Sequence, residues 1–452
     1  MLRFGSLTRS GPTGARRFSA LALLLLAACD TARPGLGMDA ITGGTVIDVV
    51  TGRTIAQGVV LVRDGHIVAV GSSADVPVPR GASVTDATGR WIIPGLIDAH
   101  THLQPWGLAL ALHWGVTAVR DLHDGFPLAD TLRAIATRAP SPRLFQAVAM
   151  LDGIPTTYPD AIGLASPDAA DAAVASVFAH GATWIKAYTH TTPPMLGAII
   201  TAARARNLPV AAHLGLTDAL TAARLGVTSI EHLTGVPEAA GDSVALMAAH
   251  AKGFFVGWTA FEQSWTGLDT ASLAAVARTL ARYGVTLVPT LGLHETFSRL
   301  DDASTLRASE LADVPDSARA NWNVPGMIKR AGWVREDYPA FRASRAVQDF
   351  FVHTFALAGG RIATGTDASN QLLVPGAGVH LEMELLVRAG LTPLEALRAG
   401  TLRGAELLRA DSLGSLHVGG TADLVILGGN PLAEIRNSRQ VVKVMLGGKW
   451  VR

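Results

Sequence analysis

The pattern of this 452-residue chain predicts an α/β fold: a (β/α)8 TIM-type barrel with a small β-sandwich domain built from both chain ends. Three observations carry the prediction. Between Ile92 and Asp367, apolar runs of strand length alternate with Ala/Leu/Arg-rich helical stretches, as βα repeats require. Eight such runs can be counted, the number a closed barrel needs. Outside them, residues 41–91 and 408–452 share a different texture of short β-rich runs broken by turn residues. With 49% hydrophobic residues the chain can bury one large core and a satellite.

In chain order, Arg16 and Arg17 precede an apolar block, Leu21 to Ala28, which ends at Cys29, the one cysteine of the chain. A basic region, a short apolar region and small residues predict a signal peptide over 1–28, followed by a tether over 29–40. The block is too short to cross a bilayer as a helix. Leu26-Ala27-Ala28-Cys29 resembles the lipobox of bacterial lipoproteins, which implies export to the periplasm and a lipid anchor at Cys29 as the contact with membrane. An ordinary cleaved signal is the alternative. A single cysteine cannot close an intramolecular disulfide. The net charge of +1, with basic residues scattered, gives no stripe that would track nucleic acid.

The runs Thr45–Val50, Gly58–Val62 and His66–Val70 are punctuated by Thr51-Gly52 and Asp64-Gly65, and Asp-Gly between apolar runs is a hairpin signal. The same texture returns at Ala422–Leu427, Val441–Leu446 and Lys449–Val451, so 41–91 and 408–452 are expected to form one discontinuous β-sandwich domain. Asp423, at the start of a strand there, reads as structural. The barrel is expected over 92–407.

Its strands are expected at Ile92–Asp98, Val116–Leu122, Arg143–Met150, Thr183–Tyr188, Leu208–His213, Thr228–His232, Val285–Thr290 and Arg361–Thr366. Chemistry in such barrels sits at the C-terminal strand ends, which gives weight to the residues found there. The first run ends in His100-Thr101-His102. Strand side chains alternate with period 2, so both imidazoles would face one side and could chelate one divalent ion; two surface histidines are the alternative. Lys186 sits in an apolar fourth strand, where a charged amine is costly to bury unless it has a role. His213 and His232 close the fifth and sixth runs, and Asp367 follows Gly365-Thr366 in the eighth. Each alone has a structural explanation; Asp367 could cap the next helix.

The order His-x-His, Lys, His, His, Asp, with Pro94-Gly95-Leu96-Ile97-Asp98 before the first pair, resembles the amidohydrolase superfamily. Ile230-Glu231-His232, Val288-Pro289-Thr290-Leu291, Gly365-Thr366-Asp367-Ala368 and Ala389–Leu397 resemble its imidazolonepropionase and prolidase-like branch. The resemblance implies two divalent metal ions, zinc by default. His100, His102 and Asp367 would hold one and His213 with His232 the other, bridged by Lys186 carboxylated on its Nζ. It further implies that a hydroxide between the metals attacks a polarised carbonyl, with Asp367 passing its proton to the leaving amine. Tyr188, two residues past Lys186 on the same face, His123 after the second strand and His294 after the seventh are the expected substrate contacts. The long excursion 294–340, containing Trp322, Trp333 and Tyr338, reads as a lid or specificity loop, or else as a surface for packing or homo-oligomerisation.

The function implied is an exported, metal-dependent hydrolase acting on a small molecule, namely the amide bond of dipeptides or N-acyl amino acids. The alternative is a cyclic amide, lactone or carbamate hydrolase like imidazolonepropionase; those enzymes generally lack the bridging lysine, so Lys186 counts against it. A non-catalytic binding lipoprotein would have lost ligands, and all six are present.

Overall fold

A computed structural model describes residues 35–452. The expected signal peptide, Cys29 and most of the tether lie outside the described residues. The described chain forms eighteen strands. They are β1 (Met38–Ile47), β2 (Thr54–Arg63), β3 (His66–Ser72), β4 (Ser83–Asp86), β5 (Trp91–Pro94), β6 (Leu96–Thr101), β7 (Val116–Asp121), β8 (Arg143–Gln146) and β9 (Met150–Gly153). The series continues with β10 (Ile162–Leu164), β11 (Ile185–Ala187), β12 (Val210–Ala212), β13 (Ser229–Glu231), β14 (Thr286–Val288), β15 (Arg361–Ile362), β16 (Leu424–Leu427), β17 (Val441–Leu446) and β18 (Lys449–Trp450).

Both chain ends contribute to one eight-stranded sheet in the order β18-β17-β16-β5-β1-β2-β3, with β4 alongside β1. An antiparallel β5–β16 pairing joins the strands of the two chain ends, and a parallel β1–β5 pairing continues the same hydrogen-bonded sheet. This sheet bends back until Ile67 N–H donates to Gly420 O at 2.9 Å and Ala422 N–H to Gly65 O at 2.8 Å. Ile41, Val46, Val60, Ile67, Ile92, Leu424, Ile426 and Met445 fill the fold. Strand β1 starts at Met38, inside the stretch read as tether.

The expected first barrel strand is split as well. Trp91–Pro94 pairs antiparallel with β16 of the terminal sheet, whereas Leu96–Thr101 pairs parallel with β7. Gly95 makes the transfer, and a Cβ there would lie 2.1 Å from Thr117 Oγ1. Only glycine allows that approach.

The middle of the chain is a mixed α/β body with two parallel sheets, β6-β7-β8 and β10-β9-β11-β12-β13-β14-β15. Strands β6, β7, β9 and β11 to β14 are buried along their whole length, as parallel strands covered by helices are, whereas β8, β10 and β15 are partly open. Backbone hydrogen bonds also link the two sheets. Ala99 N–H donates to Thr364 O at 2.8 Å, Asp367 N–H to His100 O at 2.8 Å, and Thr183 N–H to Gln146 O at 2.8 Å. Asp423 is structural: it accepts Arg143 Nε at 2.8 Å and Gly447 N–H at 2.6 Å, tying β8 to the terminal sheet.

Candidate metal centre and active site

The C-terminal ends of β6, β11, β12, β13 and the segment after β15 bring His100, His102, Lys186, His213, His232 and Asp367 into one neighbourhood. Asp367 Oδ1 is its focus, lying 3.2 Å from His100 Nε2, 3.2 Å from His102 Nε2 and 3.9 Å from His232 Nε2. His100, His232 and Asp367 form the tightest group, their ligand atoms all within 4.8 Å of one another. The His213 ring lies 4.9 Å from that of His232. His232, Thr290 and Asp367 adopt left-handed φ values of 57°, 48° and 60°. Such conformations cost roughly 1–3 kcal/mol each in non-glycine residues and concentrate where side chains must be aimed. Gly365 lets the last segment pack against β6, since a Cβ there would lie 2.8 Å from His100 Cβ.

Three of the imidazoles, His100, His102 and His232, have a partner on Nδ1. Glu231 accepts His100 Nδ1–H at 2.7 Å, the His123 carbonyl accepts His102 Nδ1–H at 3.1 Å, and Thr290 Oγ1 accepts His232 Nδ1–H at 2.7 Å. A proton fixed on Nδ1 leaves the Nε2 lone pair free to ligate. Glu231 is itself braced by Arg120 at 2.9 and 3.0 Å and by Ser229 at 2.5 Å. Burial alone would raise its carboxyl, but Arg120 and His100 outweigh burial and hold it at about 2. Asp367 follows the same logic: burial opposes ionisation, and His232, His100 and His102 keep it well below the usual range. Burial lowers His100, aided by the charge of Lys186. Asp98 is raised by burial to about 7, while its oxygens accept Thr366 Oγ1 at 2.6 Å and the Thr366 and His100 N–H groups at 3.1 and 3.2 Å.

Lys186 is wholly buried in β11. Burial pushes its ammonium down to about 8, against the opposing charges of Glu231 and Asp367. Its Nζ, together with His100 Nε2 and His213 Nδ1, is a buried polar atom without a hydrogen-bond partner. Native proteins rarely tolerate such orphans. Imidazoles with free Nε2 atoms around an ionised carboxylate, beside an orphaned amine, fit divalent cations of the zinc type.

A cavity of about 240 Å³ opens on this cluster. Tyr188 and His123 line it. His123 accepts Met150 N–H on Nδ1 at 3.2 Å and faces Asp160 at 3.2 Å through Nε2; burial lowers the ring to about 4, leaving it a neutral donor. His294 corrects the expectation of a substrate contact. It is 1% exposed, and both nitrogens are occupied, by Glu262 at 2.5 Å and the His232 carbonyl at 3.1 Å. The helix Leu291–Phe297 turns its ring beneath the ligand cluster, while Leu293 and Phe297 line the cavity. From the excursion, Met327 and Trp333 complete the lining.

Sequence reasoning assigned no role to Arg120, Glu231, Thr290 or Asp98, or to the aromatic helix Phe254–Ser264. The available signal for the first two was a charged residue inside a strand run, the same one that marked Lys186.

Residues 106–451 match the amidohydrolase family. The chain is similar to the imidazolonepropionase of Chromobacterium violaceum, 29% identical over 395 residues that cover 81% of this chain and 84% of that one. A similarity to the adenine deaminase of Paracoccus denitrificans, 35% identical, spans only 27% of this chain and 22% of that enzyme. Among solved structures, a putative prolidase from Bifidobacterium longum superposes with a TM-score of 0.69 at 24% identity, covering 92% of this chain and 95% of that one. A Xaa-Pro dipeptidase with methionine bound in its active site gives 0.68 at 20% identity, covering 92% of this chain and 100% of that one. At these identities the structural matches show the fold. The chain belongs to the amidohydrolase family, whose enzymes act hydrolytically on carbon–nitrogen bonds and generally bind divalent metals.

Proposed function

We propose that this protein hydrolyses the amide C–N bond of a small substrate of the dipeptide or N-acyl amino acid class, in a (β/α)8 barrel. The carrying observation is the convergence of His100, His102 and His232 Nε2 on Asp367 Oδ1, beside the orphaned amine of Lys186. His100, His102 and Asp367, with His213 and His232, would hold two divalent cations, zinc by default, and Lys186 would join them once carboxylated. When bound, the cations supply a Lewis acid and a water of lowered pKa.

The chain's own groups do the rest. Asp367, ionised at neutral pH, takes a proton from the attacking water and returns it to the leaving amine. Asn370 steadies the carboxylate, its Nδ2 donating to Oδ2 at 2.7 Å. Glu231, Thr290 and the His123 carbonyl fix the rings of His100, His232 and His102. Tyr188 lines the cavity and would offer its O–H to the substrate carbonyl, while His123 would offer its Nε2–H in exchange for Asp160, which that nitrogen faces at 3.2 Å. The dipeptidase-like structural neighbours support a linear amide. The similarity to imidazolonepropionase favours a cyclic amide as the second reading. We also retain export and a lipid anchor at Cys29 as part of the proposal.

Amine release from dipeptides and N-acyl amino acids by the zinc-loaded protein tests the first reading. Ring opening of cyclic amides, with linear amides untouched, would replace it by the second.

A further inference from the structure

Away from the ligand cluster, the cavity is walled by rings. The helix Phe254–Ser264 supplies Phe254, Phe255 and Trp258. Phe254 lies nearly parallel to Tyr188 (centroids 6.3 Å apart, planes at 13°) and to Trp258 (6.1 Å, 20°). Trp333, from the excursion, meets Phe255 and Phe297 edge-on at 6.2 and 6.0 Å, and its indole N–H is anchored on Thr259 Oγ1 at 2.8 Å. Among the described residues lining this space there is no lysine or arginine; its acidic member is Asp367. Away from the ligand cluster, a carboxylate entering from water would meet ring faces and no lysine or arginine of the lining, whereas an aromatic guest would find both faces and edges. The ligand cluster itself is committed to the scissile amide.

We propose that this aromatic cavity is the specificity pocket, that it takes an uncharged aromatic group adjoining the scissile amide, and that it discriminates against a free carboxylate on that group. Within the dipeptide and N-acyl amino acid class, the substrates so selected are aromatic ones whose carboxylate is directed away from this pocket, to solvent. The inference rests on the amide-hydrolase reading for its substrate, but not for its binding preference.

The test measures binding by calorimetry to the full chain, both zinc-loaded and chelated. The probes are N-acetylphenylalaninamide, N-acetylphenylalanine and N-acetylalaninamide, with hydrolysis followed in parallel. The aromatic amide should bind about tenfold or more tighter than either other probe, with or without zinc. Trp333→Ala should weaken it about tenfold and leave the alanine probe unchanged. Phe254→Leu keeps an apolar side chain of similar bulk and should show the same selective loss, covering the case in which the tryptophan variant fails to fold. Phe255→Arg should bring the free acid level with the amide. A free acid that binds chelated wild-type protein as tightly as the amide, or aromatic affinity untouched in Phe254→Leu, would overturn the proposal. Binding in the expected order without cleavage of any amide would sink the hydrolase reading and leave the pocket standing; cleavage without aromatic preference would do the reverse.

Discussion

Glu231 accepts the Nδ1 proton of His100 at 2.7 Å, with both side chains fully buried. The same carboxylate carries Arg120 and Ser229, so one residue sets a ligand's tautomer and neutralises a buried guanidinium. In Glu231→Gln the amide oxygen can still accept from His100, but Arg120 is left as an uncompensated buried charge. We expect a loss of about 3–5 kcal/mol of stability. Zinc affinity should fall about 10–100-fold. Chemical unfolding and chelator competition measure the two effects; a variant as stable and as tightly metallated as wild type would mean that the bridge is incidental.

Lys186 is pushed to about 8 by burial, so its neutral fraction grows as pH rises through that value. Only the neutral amine can attack CO2, forming the N–C bond and releasing a proton to solvent. With zinc and ¹³C-labelled bicarbonate, a carbamate carbon resonance should appear in wild type, be absent in Lys186→Ala, and strengthen between neutral and mildly alkaline pH. An identical resonance in Lys186→Ala would remove this lysine from the site.

Asp367 combines ligand contacts with the proton transfer proposed for it. Asp367→Asn keeps the shape and loses the charge, so kcat should fall about 10²–10⁴-fold. The fold should survive, as read by an unchanged cooperative unfolding transition. Turnover within a few-fold of wild type would contradict the role given to this residue.

Glu295, at the start of the excursion, holds Arg299 at 2.7 Å, Arg388 at 2.6 Å and Arg345 at 3.3 Å. Burial opposes its ionisation, yet the Arg388 and Arg299 bonds bring its carboxyl down to about 2 from the ordinary 4.5. A depressed carboxyl stabilises fully above its unfolded value and loses that contribution as pH falls from about 4.5 through about 2. Glu295→Gln should therefore destabilise at pH 7 by about 1–3 kcal/mol, and the gap should close across that acidic window. Unfolding midpoints of both proteins against pH provide the check, and a gap that stays constant down to pH 2 would rule the network out as its source.

Much of the site was legible because a metal ligand at the end of a parallel strand leaves a local mark: an apolar run closed by one polar residue. His213 carries it most plainly, Lys186 interrupts an apolar run, and His100, His232 and Asp367 stand at or just past a strand's end. The bracing residues do not. Arg120 and Glu231 meet across a separation of 111 residues, and a buried ion pair leaves no spacing to read. His294 stood at a strand end and looked free, while Glu262, which occupies it, lies on a helix outside the βα count. That helix escaped notice because aromatic residues at Phe254, Phe255 and Trp258 resemble an ordinary core-facing stripe. In the terminal domain, the apolar run 91–98 looked like one strand; Gly95 divides it between sheets through a close approach to Thr117 that sequence pattern does not encode.

The most direct test of the central claim is made on one zinc- and bicarbonate-loaded sample: metal content per chain together with amine release across dipeptides and N-acyl amino acids, with Lys186→Ala alongside. Two metal ions per chain are expected, with amide cleavage that disappears in the variant. Two bound metals with no cleavage of any linear or cyclic amide, or cleavage that persists after exhaustive chelation, would contradict the claim.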